Sequence, residues 1–193
     1  MEPSMGLRIV EQAPVVAAVK KEPQLVLELI TPDIVDFVFS MIKPMVDELA
    51  AQSQGEYTTD YTYAKIKFGA MSLFYGYIVD DKDEYLKADL KVNPLEQRMK
   101  RLFDDRIKKE FAGYLLIEYN PNEPKPPHIW QLSILPKFHN TNIFELGQAC
   151  LIEEFKKVGA KEITMSSSRA GWHDIATKMG FVETFTIYRK KFA

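Results

Sequence analysis

The run Ser166-Ser167-Ser168-Arg169 gathers three hydroxyls and a guanidinium. Between a strand and a helix, such a group can hold an anion through charge-assisted hydrogen bonds and orphan helix amides. The same side chains can instead cap the next helix and satisfy a carbonyl or carboxylate within the domain. Trp172 and His173 follow at once; the indole suits a core anchor better than a stacking platform, and the imidazole faces solvent. Cys150 sits mid-helix beside apolar positions with no basic cluster near it in sequence, so a buried, inert thiol is expected. Being the single cysteine, it excludes an internal disulfide and any multi-cysteine metal site, and no metal ligands are expected. The sequence holds no GxxxxGK(S/T), GxGxxG or HExxH pattern, which removes the phosphate-loop, dinucleotide and zinc-peptidase motifs.

The chain that must position these groups has 193 residues, 46% hydrophobic and 27% charged, with a net charge of −2. That is enough for one domain with a sizeable core, and it gives no field that calls for nucleic acid or an anionic membrane. The basic end Arg189-Lys190-Lys191 is too short to change this. No apolar run approaches the roughly 20 residues that span a bilayer, and residues 1–19 lack a signal-peptide layout. A cytoplasmic protein is expected.

Residues 1–23 carry Pro3, Pro14 and Pro23 and read as an arm, followed by a single domain over 24–193. A strand is expected at 24–30. A helix follows with Thr31 as N-cap and Pro32 in its first turn, kinked or split at Pro44. A second helix should run from Thr58-Thr59-Asp60 to Gly69. A strand over 71–79 turns at 80–83 into a hairpin partner over 84–92. Asn93-Pro94 with Glu96 starts a helix to about Glu110, whose charged flank is read as solvated, with a partner groove as the other reading. Strands at 111–120 and 128–135 flank the proline-rich loop 121–127. A helix over 142–158 stops at Gly159, a strand covers 161–165, and a short helix from Trp172 closes at Gly180. A strand over 181–189 ends the chain.

The order from Phe111 to Phe192 resembles the cofactor-binding half of GNAT acyltransferases. The residues that carry this are Leu135-Pro136-Lys137-Phe138, Val158-Gly159-Ala160-Lys161 and Lys178-Met179-Gly180-Phe181-Val182-Glu183. Arg169-Ala170-Gly171-Trp172 before Met179-Gly180-Phe181 is similar to the Arg-x-Gly-Trp signature of GNAT-like proteins encoded by bacteriophages. Gly55-Glu56-Tyr57-Thr58 and Phe68-Gly69 also resemble that group. The resemblance implies an α+β fold with a mixed, mostly antiparallel central sheet and helices on both faces. It also implies two central strands, taken here as 111–120 and 128–135, that splay to admit the pantetheine arm of acyl-CoA.

The resemblance places the cofactor's diphosphate at Leu135, Lys137, Phe138, His139, Asn140, Thr141 and Asn142. The family's loop relies on glycines so that amides can approach phosphate; here no glycine occurs between Gly113 and Gly147. Thr141 and Asn142 can cap the helix instead, with Glu145 reciprocating and repelling an anion. Glu118 is the base candidate, though it also reads as an exposed strand-end glutamate. The family's acid, a tyrosine four residues before the Gly-Phe pair, falls on Ala176, which leaves Tyr119 or Tyr188 as substitutes. The sequence therefore points to a phage-type GNAT-fold protein with a degenerate coenzyme A loop and no cofactor. It would bind a virion component or a host protein, in the host cytoplasm or carried in the virion, through the arm 1–23, helix 94–110 or loop 121–127. The alternatives are an acetyl-CoA-dependent N-acetyltransferase and a scaffold in a multi-chain particle.

Overall fold

The computed structural model describes residues 22–53, 55, 57–87, 93–120, 122–123, 125–166 and 172–184. A five-stranded sheet has the order β1 (Gln24–Ile30), β2 (Ser72–Val79), β3 (Lys109–Glu118), β4 (His128–Ile134), β5 (Thr164–Met165). Every neighbouring pair is antiparallel except β4–β5, which is parallel. Four helices pack on one face: α1 (Val35–Gln52), α2 (Thr59–Lys67), α3 (Lys82–Leu86) and α4 (Pro94–Phe103). The other face carries α5 (Ile143–Lys157), with α6 (Trp172–Lys178) beside its start. The expected α+β class, with a mostly antiparallel sheet and helices on both faces, is the class observed.

Alternation along the strands sorts the two cores. Val26, Leu73, Tyr75, Tyr77, Tyr114 and Leu116 face α1–α4, while Leu115, Ile117 and Ile129 meet Leu151 and Phe155 of α5. Of these three buried tyrosines, Tyr77 leaves its hydroxyl without a hydrogen-bond partner among the described residues, while the other two spend theirs. Tyr75 donates to the Val38 carbonyl at 2.7 Å and Tyr114 to Gln131 Oε1 at 2.9 Å. Gln131 Nε2 reaches Thr62 Oγ1 at 3.4 Å, tying β3, β4 and α2 into one buried polar chain.

Several expectations change. Thr31 does not cap α1, because residues 31–34 form a turn and the helix starts at Val35. Pro44 lies inside an unbroken α1 on its exposed side, where the carbonyl it leaves unbonded can meet water. The expected hairpin strand is a short helix over 82–86, because Asp81 accepts from the amides of Asp83 and Glu84, both at 3.0 Å; residues 88–92 lie outside the described residues. α4 ends at Phe103, seven residues early, where Asp104 turns the chain and holds Arg106 at 2.7 Å. Its charged flank is not simply solvated: Arg101 grips the buried Glu28 of β1 with two bonds of 2.9 and 2.7 Å, and Arg98 Nε stands 3.5 Å from the same carboxylate.

β3 and β4 do not splay. They pair from Gly113↔Ile134 to Glu118↔His128. The opening falls between β4 and β5, which pair only at His128↔Thr164 and Ile129↔Met165. The register of β3 against β4 skips Trp130, since Leu116 pairs Gln131 and Ile117 pairs Ile129. That bulge bends and twists β4 at the point where β5 stops following it. Residues 181–184 are not strand, and the rest of the expected 181–189 strand lies outside the described residues.

Candidate functional site

β4 runs into the turn that the resemblance assigns to the diphosphate. Pro136–Phe138 form one turn of 3-10 helix, Asn140 takes a left-handed φ of 64°, and α5 begins at Ile143. Asn140 supplies without a glycine the one left-handed residue this turn needs, since asparagine tolerates that conformation. The turn satisfies three of its own amides. Phe138 N–H donates to the Leu135 carbonyl at 2.9 Å, His139 N–H to Pro136 at 3.1 Å and Thr141 N–H to Phe138 at 3.3 Å. Asn142 makes no side-chain cap, so the Asn142–Glu145 capping box is not formed; Thr141 Oγ1 instead stands 3.4 Å from the Ile143 amide.

The cations are occupied as well. Lys137 Nζ lies 2.5 Å from Glu110 Oε1 and 5.0 Å from the Phe138 ring centroid. His139 Nε2 turns back to the Ile134 carbonyl at 3.1 Å. The Lys137–Glu110 pair is half-exposed and holds by no more than about 1 kcal/mol, so it alone would not keep a phosphate away. The stronger obstacles are Glu145, an exposed carboxylate in the first turn of α5, and Phe144, whose ring meets Trp172 edge-on at 6.3 Å. Trp172 is buried, as a core anchor should be.

Behind the turn, between the sheet and α5, lies a cavity of about 50 Å³ lined by Leu25, Leu132, Ile134, Ile143, Gly147 and Leu151 among others. A single water site takes roughly 10–15 Å³ on this measure, so the cavity admits a few waters and would have to widen to take an acyl-pantetheine arm.

Glu118 lies at the far end of β3 from this turn, five residues beyond Gly113 and so roughly 17 Å away at about 3.4 Å per residue. It is exposed and pairs in register with His128. Tyr119 packs against Phe155 at 5.6 Å on the α5 side, away from the face that carries Glu118. Ala176 lies in α6; Tyr188, Arg169 and Gly171 lie outside the described residues. His173 is exposed, 3.9 Å from Glu183. The Cys150 thiol stands 3.5 Å from the Leu25 carbonyl, and burial pushes its pKa up, as an inert thiol requires.

Sequence reasoning passed over His128. The structure sets it between Thr164 and Ser166 of the β5 segment, with Glu118 across the strand pair. Its partner Thr164 is 36 residues away, so only strand register could have found it. Among the described residues no three His, Cys, Asp or Glu side chains gather to hold a metal ion, and no helix is long and apolar enough to cross a membrane.

No protein-family model and no curated protein sequence matches the chain. Solved structures do. The ribosomal-protein-alanine N-acetyltransferase of Brucella melitensis biovar Abortus 2308 is 9% identical, with 88% of this chain and 99% of that one covered at a TM-score of 0.54. YycN of Bacillus subtilis, provisionally classed as an acetyltransferase, is 11% identical over 88% and 99%, with a TM-score of 0.51. At such identities the likeness carries architecture and not chemistry. The chain has the fold of the GNAT acetyltransferases.

Proposed function

We propose that this GNAT-fold chain works by binding a protein partner and does not turn over acetyl-CoA efficiently. The observation that carries the reading is the turn before α5, whose amides of Phe138, His139 and Thr141 are spent on its own carbonyls. A diphosphate drawing on those three amides would have to displace their bonds and would lie beside Glu145. The resemblance to phage-encoded GNAT-like proteins makes the proposed partner a virion component or a host protein met in the host cytoplasm. The surfaces proposed are the arm 1–23, the outer side of α4, where Leu95 and Phe103 are exposed, and loop 121–127. Calorimetry with acetyl-CoA tests the reading: no heat of binding is expected at micromolar concentrations. Micromolar affinity that disappears in Lys137→Glu would overturn it. Deleting residues 1–21 should abolish partner capture and leave the fold intact.

A second reading, an acetyl-CoA-dependent N-acetyltransferase with Glu118 as base, draws support from one observation. β5 pairs with β4 only at His128↔Thr164 and Ile129↔Met165, and an amide-bearing arm can enter where two strands part in this way.

A further inference from the structure

At the end of β4 away from that turn, one hydrogen-bonded chain crosses from the β5 segment to the proline loop. Ser166 Oγ stands 3.3 Å from His128 Nε2, and His128 Nδ1 stands 2.9 Å from Thr164 Oγ1. Thr164 Oγ1 in turn stands 3.4 Å from the Pro127 carbonyl. A carbonyl can only accept, and this orders the whole chain. Thr164 directs its proton to Pro127, its oxygen accepts Nδ1–H, and Nε2 keeps a lone pair facing the Ser166 hydroxyl. That is the tautomer a general base needs. Burial holds the imidazole below its ordinary range, while Glu118, the charged group facing it, pulls the other way.

Position adds to geometry. Ser166 is exposed and follows β5 directly, and His128 is half-buried at the first position where β4 pairs with β5.

We propose that Ser166 is a nucleophile activated by His128, acting on small activated acyl esters. This site is separate from the coenzyme A turn and does not depend on the binding role argued above. In the first step Ser166 Oγ bonds to the acyl carbon while the bond from that carbon to the leaving oxygen breaks. The Oγ proton passes to His128 Nε2 and from there to the departing alkoxide. Water then gives a proton to the same nitrogen and attacks the acyl-serine. The acid departs, and the proton returns to Ser166 Oγ.

Para-nitrophenyl acetate and the full chain test this. Release of nitrophenolate should accompany one acetyl group on the peptide that carries Ser166, found by mass. Ser166→Ala, an exposed change, should remove both signals. His128→Gln should slow acetylation about 100-fold, the low end of what a general base supplies. Thr164→Val should also slow it, since Nδ1 loses its acceptor, and it decides the matter if His128→Gln does not fold. The rate should stay level above the ordinary imidazole value of 6.5 and fall only below it. Acetyl groups on lysines alone, or equal labelling of Ser166 in the Thr164→Val and His128→Gln proteins, would overturn the assignment.

Discussion

Gly113 of β3 runs so close to Ser133 of β4 that a methyl on its α-carbon would stand 2.2 Å from the Ser133 carbonyl oxygen. The next obstacle is the Ile134 α-carbon at 2.9 Å. Both are backbone atoms of a paired strand, so neither can swing aside. Gly113→Ala should destabilise the fold by about 3 kcal/mol, read as a lower urea midpoint with an unchanged m-value. Gly76 is the control. A methyl there meets Leu25 Cδ1 at 3.5 Å, an ordinary contact, and Gly76→Ala should stay within about 1 kcal/mol. Equal tolerance at the two positions would mean that β3 and β4 are not this close.

Glu28 is 4% exposed and is held by Arg101 through two hydrogen bonds. Glu28→Gln keeps the shape and removes the charge, leaving Arg101 and Arg98 turned inward without their anion. Breaking a buried pair on one side costs about 3 kcal/mol. The double replacement Glu28→Met with Arg101→Met should cost less than Glu28→Gln, because it leaves no orphaned charge. Thermal unfolding of the three variants checks the order, and a Glu28→Gln protein as stable as the parent would refute it.

What the sequence disclosed was what a few neighbouring residues settle among themselves. Asn93-Pro94-Glu96 reads as a helix start, and Asn93 Oδ1 does accept from the Glu96 amide at 2.9 Å. Thr58 likewise accepts from Tyr61 N–H at 3.1 Å, and Gly69 with φ 72° follows α2. Thr31 offered the same cue, but its hydroxyl meets Arg98, 67 residues away, and the Asp33 carboxylate instead of a helix amide. Leu86 belongs to an alternation that suggests a strand, yet the Asp81 cap three residues before Glu84 turns 82–86 into a helix. The opening beside β4 was misplaced for a similar reason. The bulge at Trp130 is a property of two strands in register, and neither strand's residues announce it.

The Asn93 cap allows a quantitative check of that local logic. Asn93→Ala should cost about 1 kcal/mol, and Asn93→Asp should cost little, since a carboxylate accepts from the same amide and favours the positive helix end. Because α4 also carries the arginines that hold Glu28, the Asn93→Ala protein should lose amide-exchange protection across α4 before the sheet does. Uniform loss across the molecule would contradict a local role for the cap.

His128 gives the fold a pH dependence whose sign can be worked out. Burial lowers its pKa in the folded chain, while the unfolded chain protonates near the ordinary value of 6.5. Between the folded value and 6.5 the unfolded state therefore binds more protons, so stability falls as pH drops through that window and is fully present above it. From about pH 7 to about pH 5, the parent protein should lose stability that His128→Gln keeps. Glu118 pulls the His128 pKa upward, so Glu118→Gln should move the His128 midpoint lower still in an NMR titration of its ring protons. A midpoint that does not move in Glu118→Gln would show that this carboxylate does not act on the imidazole, and the row across β3, β4 and β5 would lose its electrostatic coupling.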